Sequence, residues 1–415
     1  MNVLGLITEY NPFHFGHIHH LKESLSITNS DASIAVMSGS FVQRGEPSLV
    51  DKWTRAKMAV DNGVDLVLEL PVVYSVQSAE LFALGAVKLL DSLNIVDSLS
   101  FGSEEGELES LEIIAEILIK EPVEFKYSLK KYLDLGNSFP VARSLALEDY
   151  FKIKSSSKSM DFKNILKQSN NILGIEYLKA LHRIDSKIKP VTIKRIGSDY
   201  KDKTTKNKLS SATGIRHTIL HESLISSKSF LPLESFNLIE EYILNYNNFN
   251  SLENYSKIIR YLFLTADKEE LKDLFDIDEG LENRILKFIK QDCNMETIIS
   301  KTATRRYPST RIQRIFIHLL LGLDQNNLKD FFSYENNYIR VLAANKKGLL
   351  LLNKIKDQSD LKIITKFSNY EKHNNKIINR FLELEKKATD IFFLGLNLEK
   401  PLTDMDYYTS PYIKR

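Results

Sequence analysis

The chain has 415 residues, with 56 Lys and Arg against 54 Asp and Glu, 43% hydrophobic residues and 27% charged ones. That balance excludes a disordered or low-complexity chain, and the length predicts about two or three domains. A single cysteine, Cys293, rules out an intramolecular disulfide and a cysteine-clustered zinc site; it fits a reducing cytoplasm and reads as structural filler.

The amino terminus lacks a basic lead-in and a long apolar stretch, so Val3-Leu4-Gly5-Leu6-Ile7 reads as the first core strand. Asn11-Pro12 supplies a turn, because proline cannot continue a strand ladder. His14-Phe15-Gly16-His17 then opens a helix that includes Leu21 to Leu25. This brings two imidazoles, three residues apart, to unpaired backbone N–H groups and a favourable dipole, a setting for holding a triphosphate. Gly16 would keep a side chain away from an approaching phosphate or flat ring. An ordinary helix start would also suit these residues. Their place after the first strand of an alternating chain favours the nucleotide reading.

Ser33 to Met37 is a second strand, ending at Ser38-Gly39-Ser40. The loop from Ser38 to Pro47 is too polar for a core and is predicted to form the acceptor side of the pocket, with Ser40, Gln43 and Arg44 as substrate contacts. Arg44 can grip a carboxylate at two points, assisted by Lys52 or Arg55, with at least one of these three charges solvated. Helical periodicity over Trp53 to Val60 and Ala79 to Leu90 flanks a third strand, Asp65 to Leu70. A fourth strand, Ser98 to Phe101, ends at Gly102, which either lets adenine or ribose lie on the backbone or simply turns the chain. Helices over Leu108 to Ile119 and Leu173 to Leu181 follow, separated by a surface loop at residues 155–159. Asn170-Asn171 either caps the second helix or binds a ligand amide or ribose.

Val191 to Arg195 is a fifth strand, with Arg195 facing the crevice or solvent. After a basic loop, residues 201–208, come Ser210-Ser211-Ala212-Thr213 and Arg216, an N-cap or a second phosphate clamp. The alternation predicts an α/β fold, a Rossmann-like parallel sheet covered on both faces, over residues 1–220.

From about residue 220 strand signals vanish. Amphipathic segments at Leu238 to Tyr246, Tyr255 to Thr265, Leu281 to Ile289 and Arg311 to Leu323 predict a mainly α-helical domain over 221–415. The longest apolar stretch there, Ile315 to Leu323, is interrupted by His318 and too short to span a bilayer, so a soluble cytoplasmic protein without a membrane partner is expected. Thr297 to Arg314 holds Lys301, Arg305, Arg306, Arg311 and Arg314 around Tyr307 with no acidic residue, the pattern of an RNA contact rather than a mixed-sign solvated face. Tyr338-Ile339-Arg340 and Asn345-Lys346-Lys347-Gly348 are weaker extensions of it.

Four stretches together resemble the bacterial tRNA(Met) cytidine acetate ligase family, a branch of the nucleotidyltransferase superfamily, along the whole chain. They are Gly5-Leu6-Ile7-Thr8-Glu9-Tyr10-Asn11-Pro12-Phe13-His14-Phe15-Gly16-His17, Met37 to Pro47, Ser169 to Gly174, and Tyr307 to Arg314. The resemblance implies two steps. ATP and acetate give acetyl-adenylate and pyrophosphate, and the acetyl group passes to the exocyclic amine of the wobble cytidine of elongator tRNA(Met), without acetyl-CoA. It also implies that Ile7 to His17 and His20 line the ATP site, completed by Gly102, one of Asn170 and Asn171, and Arg195. Ser211 and Thr213 would form the second clamp, whose geometry Gly214 affects. His14 and His17 would stabilise charge on the transferred and leaving phosphates. Magnesium is the expected companion of the triphosphate, although no carboxylate cluster marks a dedicated metal site and Glu9 is the nearest acidic candidate. No obligate protein partner is expected.

Two other functions fit less well. An adenylyltransferase acting on a small-molecule cofactor precursor would leave the basic Thr297 to Arg314 segment unexplained. A catalytically silent RNA-binding protein would not need the paired imidazoles.

Overall fold

The computed structural model describes residues 1–153, 161–195, 210–278, 280–334, 337–368 and 375–415. The predicted loops 155–159 and 201–208 lie outside the described residues. Strands β1 (Val3–Thr8), β2 (Ala32–Ser38), β3 (Phe41–Val42), β4 (Glu46–Pro47), β5 (Leu66–Leu70), β6 (Ser98–Ser103) and β7 (Lys189–Lys194) come from the first half of the chain. Strands β8 (Tyr338–Ala344), β9 (Lys362–Ile364) and β10 (Tyr412–Ile413) come from the second.

The main sheet runs β10-β8-β5-β2-β1-β6-β7, with β9 paired to β8. Within it, β5-β2-β1-β6-β7 is all parallel, with Gly5 opposite Ile34 and Leu99, as a doubly wound fold requires. Val3, Leu4 and Leu6 of β1 and all of β2 and β5 are buried, so these strands read as apolar runs rather than alternating ones. The helices between them start on side-chain caps: Asp51 Oδ1 accepts from the Thr54 N–H at 2.8 Å, and Ser78 caps Leu81.

The expectation that strands cease near residue 220 is corrected. After the helices that follow residue 220, the chain returns to the sheet through β8, antiparallel to β5, which also makes the sheet mixed rather than parallel throughout. Every residue of β8 is buried. Arg340 therefore lies inside the molecule rather than on a basic surface: it pairs with Glu69 at 3.2 Å and with Asp406 at 2.5 Å. Lys52 joins the same two carboxylates at 2.8 and 2.9 Å. This buried group of four charges pins β8 and the carboxyl-terminal segment onto the amino-terminal half of the sheet.

The hairpin of helices Val123–Asp134 and Phe139–Ile153 is a further element that the sequence pattern does not single out. Cys293 is exposed, not core filler. Among the described residues no helix is long and apolar enough to cross a membrane.

Candidate active site

At the carboxyl end of β1 the chain turns through Tyr10, whose φ of 46° is left-handed, and enters helix α1 (Phe15–Thr28). His14 is its N-cap. Its Nδ1 accepts from the Gly16 N–H at 3.0 Å, and the His14 N–H donates to Nδ1 of His17 at 3.1 Å, a capping box built from imidazoles. Because both Nδ1 atoms accept, each neutral ring carries its proton on Nε2.

The rings lie 3.8 Å apart, centroid to centroid, and Tyr10 and Phe13 brace His17 at 4.9 and 5.3 Å. Burial, then the positive charges of Arg195 and Arg216, push His14 down to about 3. Burial, His14 and Arg195 hold His17 well below its usual range, and burial and Arg195 bring His20 to about 4. The pair is thus two neutral donors flanked by two arginines. Gly16 is also demanded by the helix start itself: a Cβ there would lie 2.7 Å from the His14 ring.

Around the imidazoles a set of polar contacts fixes the loops. Asn11 Oδ1 accepts from the Leu49 N–H at 2.8 Å, and the Asn11 carbonyl accepts from Arg216 Nη1 at 3.0 Å. Arg216 also pairs with Glu46 at 2.5 Å. Arg55, fully buried on helix α2 (Lys52–Asp61), donates to the carbonyls of Glu9, Ser38 and Gly39, tying the ends of β1 and β2 together. Lys52 and Arg55, both buried in structural pairings, are therefore not free to assist Arg44 at a substrate carboxylate, which corrects that expectation, and of the three charges Arg44 alone is partly exposed. The Glu9 carboxylate accepts from the Gln43 N–H at 3.0 Å, and burial outweighs that bond and raises it above the usual carboxylate range.

On the far side of β1, a Cβ on Gly102 would lie 3.2 Å from the aliphatic stem of Arg195. The two asparagines separate cleanly. Asn171 is buried and commits its side chain to the Glu104 and Glu105 N–H groups and the Ile165 carbonyl. Asn170 turns outward, its Nδ2 donating to Glu104 at 2.6 Å and its Oδ1 accepting from Arg195 at 3.4 Å. His20 lies against β6, its Nε2 3.4 Å from Ser100 Oγ. Ser211 caps the helix Ala212–His221 by accepting from the Gly214 N–H at 3.2 Å, and Thr213 is exposed. A Cβ on Gly214 would lie 2.9 Å from Ser210 Oγ.

In the loop from Ser38 to Pro47, Ser40 is buried and its carbonyl accepts from the Ser48 N–H, closing the β3–β4 hairpin. Gln43 Nε2 donates to the Gln77 carbonyl at 2.9 Å. Arg44 lies near both Glu9 and Arg195, close enough for its charge to act on each. At Gly45, φ is +79° and an added methyl would overlap the backbone of Gln313 and Arg314. The loop after β2 therefore packs on the helix Ser309–Leu321.

That contact reorders the basic segment. Lys301, Arg305 and Arg306 are exposed, with Lys301 paired to Asp292 at 3.2 Å. Arg311 donates to the Asp276 carbonyl and pairs with Asp278 at 2.6 Å, while Arg314 is buried and 3.4 Å from Asp276. The acidic partners absent from the local sequence come from residues 276–292. Among the described residues no group of three or more His, Cys, Asp or Glu is arranged to hold a metal.

A sequence model of the HIGH Nucleotidyl Transferase family matches residues 1–404. A Clostridium botulinum protein named tRNA(Met) cytidine acetate ligase is 45% identical over 367 residues, 88% of this chain and 89% of that protein. A Thermoanaerobacter protein of the same name is 47% identical over 372 residues, 90% of each. The crystal structure of Thermotoga maritima TmcAL bound with alpha-thio ATP superposes with a TM-score of 0.91 at 32% identity, covering all of both chains, and its apo form with 0.93 at 33%. The chain belongs to the HIGH nucleotidyltransferase family, within the branch of the tRNA(Met) cytidine acetate ligases.

Proposed function

We propose that this chain is an ATP-dependent ligase that activates acetate as acetyl-adenylate and acetylates the exocyclic amine of the wobble cytidine of elongator tRNA(Met). The observation that carries the reading is the imidazole capping box. Two neutral rings with Nδ1 occupied by backbone N–H groups keep both Nε2 protons for phosphate oxygens, at a helix start where an anion is already favoured. Forming the adenylate needs no covalent nucleophile from the protein. A carboxylate oxygen attacks the α-phosphorus, and pyrophosphate leaves while the His14 and His17 donors, Arg195 and the α1 N-terminus neutralise the growing charge. The amine then attacks the acetyl carbon, AMP leaves with the electron pair of the broken C–O bond, and the nitrogen gives up one proton to the departing phosphate or to water.

In this reading Asn170, with Arg195 and Gly102, faces the nucleoside, and Asn171 holds the Glu104 turn behind them. Ser40, Gln43 and Arg44 form the acceptor side, and exposed Lys301, Arg305 and Arg306 meet the RNA backbone. Residues 1–220 carry the nucleotide chemistry, and the helices beyond present the tRNA. Magnesium would arrive on the triphosphate's own oxygens. Glu9, already bonded to Gln43 and biased towards its neutral form, makes a poor ligand, so no step is assigned to a metal.

The test is mass spectrometry of nucleosides from bulk tRNA incubated with the protein, ATP and isotopically labelled acetate. Labelled acetylcytidine at the wobble position of tRNA(Met) is expected. Label on a small molecule and none on tRNA would favour a cofactor-precursor adenylyltransferase.

A further inference from the structure

Gln77 lies in the turn after the helix Val72–Ser75, at the carboxyl end of β5 and beside the acceptor loop. It is completely buried, and among the described residues neither Nε2 nor Oε1 of its side chain has a hydrogen-bond partner. A buried amide with both ends unpaired costs stability that an apolar side chain of the same shape would not. Two more orphans, Ser38 Oγ and Asn11 Nδ2, belong to the last residue of β2 and to the turn that follows β1. Doubly wound sheets bind ligands at these strand ends. The tie between Gln77 and that loop runs through its main chain, the Gln77 carbonyl accepting from Gln43 Nε2.

We propose that the Gln77 side-chain amide reads the edge of the acceptor cytosine, Oε1 accepting from the exocyclic amine and Nε2 donating to the ring nitrogen beside it. An amide presents an adjacent donor and acceptor, and so does this edge. A carboxylate offers only acceptors and would leave Oε1 unpaired. Bases modified by enzymes are drawn out of their stack and read on this edge by buried polar groups. Entry requires the half-buried Gln43 side chain to leave the Gln77 carbonyl. The inference rests on the reaction proposed above, with Gln77 on the acceptor side and Asn170 and Arg195 on the nucleotide side.

The experiment compares wild type with Gln77→Leu, and with Gln77→Met as a second apolar substitute. Binding is measured to tRNA(Met) and to the same tRNA lacking the wobble base, together with acetate-dependent pyrophosphate exchange and thermal midpoint. Wild type is expected to bind the intact tRNA about 10–100-fold more tightly than the abasic one. The variants should bind both alike, keep exchange within about twofold, lose acetyl transfer and melt no lower than wild type. Retained discrimination in a folded variant overturns the proposal. So does exchange that falls in step with transfer, or melting far below wild type in both variants, which marks Gln77 as structural. Absence of acetate-dependent exchange in wild type counts against the proposed reaction, while the affinity comparison still decides the role of Gln77.

Discussion

The His14 N–H donates to His17 Nδ1 at 3.1 Å, so the His17 ring is oriented by the backbone of its partner. Asparagine separates the two jobs of this pair. In His14→Asn the side-chain oxygen can still cap Gly16, but the Nε2 donor is gone. We expect His14→Asn to lower acetate-dependent pyrophosphate exchange by about 10²–10³-fold, the usual loss for one preorganised donor, with little change in melting. His17→Asn should behave alike. Exchange within about threefold of wild type would remove the imidazoles from the mechanism.

The same burial fixes a pH dependence of stability. His14 sits at about 3 and His20 at about 4, with His17 also lowered, against 6.5 in the unfolded chain. Lowered folded values mean that the unfolded chain binds more protons below 6.5. The stability held in these neutral rings is therefore complete above pH 6.5 and is lost as pH falls towards 4 and 3. Each such ring steepens the acid decline by about 1.4 kcal/mol per pH unit. Denaturant titrations from about pH 7 to 4.5 should show a slope shallower by about one proton in His14→Asn. An unchanged slope would place a protonated imidazole in the folded state.

Gly45 and Arg314 bring two sequence motifs together, the loop from Ser38 to Pro47 and the stretch from Tyr307 to Arg314, through direct backbone contact. With φ at +79° and no room for a Cβ, Gly45→Ala combines backbone strain with a clash. A loss of about 2–4 kcal/mol is expected in denaturant unfolding, together with weaker acetyl transfer. Wild-type stability in Gly45→Ala would mean that the loop and the helix part readily.

How much of this is legible in one dimension follows from which contacts are local. β1, β2 and β5 are readable because each is an apolar run, β6 and β7 because apolar residues alternate with polar ones, and the histidine box because its bonds span two and three residues. β8 hides from a sequence reading because Tyr338-Ile339-Arg340 carries a charge whose partners, Glu69 and Asp406, are distant in sequence. Arg311 and Arg314 look unpaired for the same reason, their acidic partners lying at Asp278 and Asp276. Nothing around Gln77 in the chain marks its amide as unpartnered; only burial does.

The basic segment now divides into two classes with different expected behaviour. Arg305→Glu with Arg306→Glu alters exposed charges and should weaken tRNA binding while leaving ATP-dependent exchange and melting near wild type. Each lost phosphate contact should also lower the salt slope of binding by about 0.7–0.9. Arg314→Glu places a negative charge beside Asp276 in a buried position and should destabilise the fold itself. Equal tRNA affinity and salt slope in the double variant would move the RNA contact elsewhere.

Lys52 and Asp406, 2.9 Å apart and buried, test whether the carboxyl-terminal segment is needed to hold the site. Two cations, Lys52 and Arg340, face two carboxylates, Glu69 and Asp406, so removing one member leaves an uncompensated buried charge. Lys52→Met should cost about 3–5 kcal/mol. The effect should reach the loop that begins at Ser38, because Glu69 Oε1 occupies the space that a Cβ on Gly39 would need. Burial alone would raise the Asp406 carboxyl, but Arg340 and Lys52 hold it at about 2, so its contribution is complete above pH 3.8 and lost as pH falls towards 2. Lys52→Met combined with Asp406→Leu restores the balance of charge and should cost less than the sum of the two single changes. A double-mutant cycle in denaturant reads that difference, and strict additivity would show that the four charges do not act as one group.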